Sequence, residues 1–552
     1  MNNIESINKI IKSERRTIIP IILLYLVGVT HWLFFFFFVD YYTYSNISPT
    51  TEINEILNKG SSISQTNKEI YDTYMFSIKD KQLLKEFLAN KDVKNLFQYR
   101  YFTANDWVKE NKFQELIGES MRSLTIPYHV PNYPKTAIAT ERFLGSIHYT
   151  ISPQFILLYF FNSQAFTIIN LILMYSIGFY GCLLLKRYYK LAFWSFTFLF
   201  LLFNFNGYWV EKVTAYGPGY MGYFLIPFVI YALLRIAELD PSEIKAQYRY
   251  GIFLGIFTAA ILFQGSLHLY VELITFIILW GIVNFRYWPA TISSLFVSFS
   301  LSTVRLLPAA VSYGVEANPH AYSWGGYGQP QHFVDAFVDL RTHLDQPIYA
   351  WWESSLYVSV PGLFMLLYFG MWATFLKLEW SKFNGWKPLV IPCFIILIIS
   401  FRQFKHYIIP NWIPLLNAES ITTRYMIIPL VIVSIIAAIN LQGFLQKYWQ
   451  WKKVKYTMIF CISALALFLF NHSRLWRMHK VQNEFIWYNS WNEGERIGHE
   501  GLVNIQLSIS NNLNDTVYIA AFWIGLVVSV ISSFLVVWWF WWDRGKINKM
   551  VL

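Results

Sequence analysis

The chain has 552 residues, of which 55% are hydrophobic, 20% aromatic and only 14% charged, with a formal net charge of +11. Soluble proteins give about a quarter of their positions to charged residues, and the positive mean hydropathy (+0.36) comes from long apolar runs, so a cytosolic globular enzyme is excluded. Three cysteines and little low-complexity sequence exclude a disulfide scaffold and a disordered tail, and the basic balance is first explained by membrane topology, not nucleic acid.

A membrane-crossing helix needs roughly 20 apolar residues. Residues 1–16 form a short basic N-terminus, and 17–39 supply the first span, read as an uncleaved signal anchor because no small-residue cleavage site precedes Asp40. Further spans are predicted at 164–185, 190–206, 218–236, 250–264, 268–285, 289–308, 357–376, 388–401, 424–442, 456–471 and 517–542. The predicted fold is an all-α polytopic membrane protein with about 12 transmembrane helices. Alternate short segments carry the cations: Lys12, Arg15 and Arg16; Lys186 and Arg187; Lys245 and Arg249; Lys452, Lys453 and Lys455; Arg544 and Lys546. That bias puts both termini in the cytoplasm. Cys182, Cys393 and Cys461 all fall inside predicted spans, so no extracytoplasmic disulfide is expected.

The connections on the predicted outer side are long, at 40–152, 309–356 and 472–516, whereas the inner ones are short. The chain therefore divides into the loop 40–152, a transmembrane bundle 153–442 and a C-terminal part 443–552, with its working face outside the cell. Within the first loop, Leu84, Phe87, Leu88 and Phe97 recur at helical spacing, predicting an amphipathic helix over 81–100 that lies on the membrane interface or packs against the loop. The prolines of IPYHVPNYP (126–134) forbid a helix there. The following stretch, 140–161, reads as a second interfacial helix.

Asp40 directly follows Phe34 to Phe38 and Val39, where a partly desolvated carboxylate would suit a general base; it is equally a residue meeting water as the helix leaves the membrane. Glu141, Glu211, Glu316 and Glu353 are further acids at the same level. Trp351 and Trp352 precede Glu353, an aromatic and acidic pairing that suits sugar binding and also suits an interfacial belt. Glu211 and Lys212 read as a shaped site or as a solvated pair. Arg305 and Arg424 sit at outer helix ends, where phosphate would satisfy a guanidinium as well as lipid headgroups do; Lys405 and His406 join the same region. The sequence contains no GxxxxGK[ST], GxSxG, HExxH or CxxC pattern. His332, His343 and Asp335 lack helical ligand spacing, and no metal site is assigned.

A first span ending in an acid, a large first outer loop and many further spans resemble the GT-C superfamily of polytopic glycosyltransferases. More narrowly, FNGYWVEKVTAYGPGYMGYFLIPFVIYALL, FQGSLHLYVELITF, SFSLSTVRLLPAAVSY, ESSLYVSVPGLFMLLYF and ITTRYMIIPLVIVSIIAAINL look like successive segments of the bacterial YfhO-like membrane proteins. The resemblance covers roughly 17–442 in chain order. It implies a multi-pass glycosyltransferase of the cytoplasmic membrane. The donor would be a polyprenyl-phosphate sugar, and the acceptor a cell-envelope glycan such as teichoic acid, or a lipid. Asp40 matches the acid that acts as base, with Arg305, Arg424 and Lys405 toward the donor phosphate. The paired acids more familiar after the first span are missing here. No cofactor is implied with certainty, and a divalent cation is left open; membrane lipids, not nucleic acid, are the expected surroundings. A transporter or flippase has a similar span count, but its two matching halves are not seen. A membrane acyltransferase would need a reactive group in a span, for which His31 is the candidate.

Overall fold

The computed structural model describes residues 18–34, 106–131, 141–146, 151–215, 217–313, 325–340, 351–381, 387–404, 421–490, 508–510 and 512–542. Among these residues the architecture is all-helical, with isolated β-bridges but no strand. The helices are α1 (Ile18–Phe34), α2 (Asp106–Ser123), α3 (Ser163–Tyr188), α4 (Phe193–Phe205), α5 (Gly207–Ala215) and α6 (Ile226–Glu238). They continue with α7 (Ile244–Phe263), α8 (Leu267–Val283), α9 (Trp288–Tyr313), α10 (Pro330–Val338) and α11 (Trp351–Ser354). The last five are α12 (Ser359–Phe375), α13 (Lys387–Ile399), α14 (Ile427–Tyr448), α15 (Lys452–Ser490) and α16 (Thr516–Trp542).

Every predicted span coincides with a helix. Seven stretches are long and apolar enough to cross a bilayer: α3, Gly219–Glu238, α7, Phe285–Ser312, Thr422–Tyr448, Lys452–Trp476 and α16. Helices α1, α8, α12 and α13 are shorter apolar helices, and α4 has 13 residues. Burial separates the centre from the rim. The apolar window of Gly219–Glu238 is 94% buried and that of Thr422–Tyr448 is 89% buried, so α6 and α14 are central; the 17% for α16 makes it peripheral, its apolar face suited to lipid.

Where lipid surrounds the helices, close packing replaces the hydrophobic drive between them, and small residues permit it. Gly251 and Gly255 lie one turn apart on α7 against α9. A Cβ on Gly251 would come within 2.5 Å of the Ala290 carbonyl oxygen, and one on Gly255 within 2.5 Å of that of Ser294. Helix α3 starts where the Asn162 side chain accepts the Ala165 N–H, and ends over Lys186 and Arg187, the favourable sign for a helix C-terminus. In α12, Leu366–Trp372 opens into a π-helical turn. The Asn440 amide of α14 donates to the Phe369 carbonyl and to Thr374 Oγ1, both at 2.8 Å, holding that turn against α14.

The predicted amphipathic helix at 81–100 lies outside the described residues. The segment 140–161 departs from expectation: instead of one helix it holds two 3-10 turns, Phe143–Gly145 and Pro153–Tyr159. Pro153 lacks the N–H that a continuing helix needs, and Ser152 before it is extended (φ −137°, ψ 159°). Residues 126–131 are non-helical, as their prolines require. His129 makes a backbone bridge to Ser510, with N to O at 3.2 Å and a return bond at 2.9 Å. The loop after α2 is thereby sewn to the segment that enters α16.

Candidate functional site

Helix α5 begins at a break in the chain that Asn206 organises. Its amide donates to the Leu202 and Phe203 carbonyls and to Tyr223 Oη, while its side-chain oxygen accepts the Trp209 N–H. Gly207 follows and packs directly on backbone: its N–H donates to the Tyr357 carbonyl at 2.9 Å, and a Cβ would lie 2.4 Å from Tyr357 N. The close approach fixes α5 beside α11, so the next turn carries Glu211 and Lys212 into the protein, each 1% exposed.

Glu353 of α11 is the centre of a buried charge cluster. Arg424, in the 3-10 turn Thr422–Met426, binds both of its oxygens: Nε donates to Oε2 at 2.6 Å and a terminal nitrogen donates to Oε1. The Lys212 ammonium donates to Oε2, and Thr423 Oγ1 donates to the Glu353 backbone carbonyl at 2.7 Å. All three charged side chains are at most 4% exposed. A carboxylate this deep is tolerable only with such charge-assisted bonds. The Tyr208 and Tyr220 rings lie 5.6 and 5.5 Å from the Lys212 ammonium, positioned for cation–π contact. Burial pulls the Lys212 ammonium down, against the opposing pull of Glu353.

Glu211 faces another neighbour. His472 of α15 places Nε2 3.5 Å from Glu211 Oε1, and its ring stacks on Tyr357 at 4.2 Å and 10°. The Trp476 indole N–H donates to His472 Nε2 at 2.9 Å, so that nitrogen accepts and the imidazole is neutral with its proton on Nδ1. The 3.5 Å contact is then not an ion pair. Neither Glu211 oxygen has a hydrogen-bond partner of ordinary geometry, and neither has His472 Nδ1. Burial pushes the Glu211 carboxyl well above its usual range; Ser355 and Lys212 favour the ionised form but do not outweigh it. One residue further along α15, Ser473 Oγ is 2.9 Å from His31 Nε2, tying α1 to the same helix.

The pairing of Glu211 with Lys212 as a solvated couple is corrected. Adjacent helical residues point about 100° apart, so Lys212 reaches Glu353 while Glu211 reaches His472. Arg424 and Glu353, read from sequence as a phosphate ligand and an acid, meet each other. Arg305 lies elsewhere: it is 2% exposed on α9 and donates to the Ser146 carbonyl at 2.9 Å. Glu141 is exposed, and its carbonyl accepts the Val130 N–H. Asp40, Lys405, Glu316 and His343 lie outside the described residues, as do the side chains of Trp351 and Trp352, whose backbones form the first half of α11. Among the described residues no group of three or more His, Cys, Asp or Glu could hold a metal ion.

Two further features were not read from sequence. Arg142 grips Asp515 with two bonds, Nε to Oδ2 at 2.7 Å and a terminal nitrogen to Oδ1 at 3.0 Å, and His129 Nε2 lies 3.1 Å from Oδ2. The other is a groove of about 390 Å³ between α10, α12, α13 and α14, lined by Phe337, Leu366, Met371, Phe394, Met426 and Val433 among others, with no charged residue. Lining residues Val334, Phe375 and Phe394 are also surface-exposed, so the groove opens sideways from the bundle. Its Met426 wall is two residues from Arg424. Length and hydropathy reveal spans, but a groove arises only where a widened π turn leaves neighbouring helices unevenly packed.

The chain matches no family model, no curated protein and no solved structure.

Proposed function

We propose that the protein is an integral-membrane glycosyltransferase of the GT-C type, moving a sugar from a polyprenyl-phosphate donor to an extracytoplasmic glycan or lipid acceptor. In this reading all twelve apolar helices cross the membrane, both termini are cytoplasmic, and the charge cluster lies at the outer end. The observation that carries it is the adjacency of two unlike environments: a hydrocarbon-lined groove open to the side, and a buried cluster of two cations and two acids two residues beyond its wall. A lipid phosphate needs that combination, because its tail stays in the bilayer while its headgroup needs cationic donors.

The chemistry divides accordingly. Arg424 and Lys212 stabilise the negative charge that develops on the departing phosphate. Asp40, just past α1, takes the acceptor hydroxyl proton as that oxygen attacks the anomeric carbon; the carbon–oxygen bond to phosphate breaks and the lipid phosphate leaves with the bonding pair. A single displacement inverts the anomeric centre. The His31–Ser473 contact fixes the end of α1 from which Asp40 extends.

The test is direct. Purified protein in liposomes receives a radiolabelled polyprenyl-phosphate sugar and a cell-envelope acceptor, and label in the acceptor together with free polyprenyl phosphate is the expected result. A second reading, transport of a lipid or glycan, is favoured by the same buried ionisable cluster, since such groups inside a helical bundle often mark a translocation path. Movement of the unaltered substrate across the liposome without transfer would select it.

A further inference from the structure

Among the ionisable groups of the cluster, Glu211 is the one left without a hydrogen-bond partner of ordinary geometry. Arg424 and Lys212 carry two positive charges against the single negative charge of Glu353, all at most 4% exposed. One positive charge is left over when Glu211 is protonated, and none when it is ionised. Uncompensated charge is costly in so dry a place. The two states of Glu211 therefore differ in whether the cluster calls for another anion.

The groups around Glu211 limit what else could fill that role. From α15 it meets His472, whose Nε2 already accepts the Trp476 N–H. From α11 come Glu353 and, just beyond, Ser355; from the 3-10 turn Gly217–Leu225 comes Tyr220, near Lys212; on α5 itself are Tyr208 and Lys212. Arg424 acts on Lys212 from the other side, and Tyr327 feels the charge of Glu211. Helix α4 carries no ionisable residue. Burial favours the proton on Glu211, so the resting cluster holds the surplus positive charge.

We infer that Glu211 and an anionic substrate group compete for the Lys212–Arg424 charge, so that the site binds a phosphate ester together with a proton held on Glu211. Ionisation of Glu211 restores neutrality from within and expels the anion. The inference deepens the donor-binding role proposed above and rests on it for the identity of the anion. It gives the site a release step: after transfer, loss of the Glu211 proton drives the lipid phosphate out.

The experiment uses the full-length protein in nanodiscs and farnesyl phosphate as probe. Binding is measured by calorimetry from about pH 5 to about pH 9, in buffers of different ionisation enthalpy so that protons taken up are counted. Wild type is expected to take up about one proton more per bound probe than Glu211→Gln, and its affinity to fall by up to about tenfold per pH unit relative to that variant. Comparing the two cancels the titration of the probe. Glu211→Asp, which keeps a carboxyl, is expected to restore the uptake, and it covers the case in which Glu211→Gln fails to fold. Equal uptake by wild type and Glu211→Gln would assign the proton to Lys212 or the probe and overturn the inference, even if sugar transfer persists. Absence of probe binding in every form, with no transfer, would overturn the donor reading as well.

Discussion

Arg424 closes both edges of its guanidinium on Glu353, a residue 71 positions earlier in the chain, while Lys212 approaches the same carboxylate from a third helix. The turn before α14, the short α11 and α5 are thus clamped at one point. Breaking a buried pair leaves an uncompensated charge, which costs more than the intact pair contributes.

Glu353→Ala should therefore lower stability by about 3–5 kcal/mol, read as a fall in thermal midpoint in detergent. The combined change of Glu353→Leu, Arg424→Met and Lys212→Met should recover much of that loss and have no donor turnover. A triple variant no more stable than the single one would show that the cluster is not an isolated electrostatic unit.

Asp40→Asn should leave the thermal midpoint unchanged and reduce sugar transfer by about 10²–10⁴-fold, the usual contribution of a positioned base. Wild-type transfer by this variant would move the base elsewhere, and Glu211 would be the next acid to test.

The groove makes a prediction about chain length. Leu397→Trp fills part of it from α13, displacing lipid equivalent to about two methylenes, or about 1.4 kcal/mol, so KM for a long-chain donor should rise about tenfold. A donor with a very short tail should be used equally well by both proteins. An equal rise for both tails would place the hydrocarbon elsewhere.

The Arg142–Asp515 clasp predicts acid sensitivity. Burial alone would raise the Asp515 carboxyl, but hydrogen bonds from His129 and Arg142 outweigh it and hold it below its usual range. A group depressed in the folded protein contributes stability above its unfolded value, near 4, and that contribution is lost as pH falls through the lower folded value. Asp515→Asn should lower the thermal midpoint at pH 7, by about 1–3 kcal/mol, and flatten its decline in acid. Parallel acid profiles for variant and wild type would remove Asp515 as the source.

Gly251→Leu should separate α7 from α9, since even a Cβ there would meet the Ala290 backbone oxygen at 2.5 Å. The expected sign is a loss of folded yield. Normal yield and stability would mean that the α7–α9 contact adapts.

Composition and apolar run length alone determined that this chain is helical and belongs in a membrane, because a backbone in hydrocarbon must satisfy its own hydrogen bonds and each crossing needs a long apolar stretch. They also located the helices from α1 to α16 that could cross, and marked Arg424, Glu353 and Glu211 as ionisable residues in places that demand partners. Who partners whom was decided only by tertiary structure. Lys212 turns from its chain neighbour to Glu353, and Glu211 to His472, since the angle between successive helical side chains and the packing of α5 on α11 and α15 outrank adjacency in sequence. Arg305, an equal of Arg424 by sequence, ends instead on the Ser146 carbonyl. Side-chain charge is written locally, but the low-dielectric enclosure that gives it consequence is assembled from helices far apart in the chain.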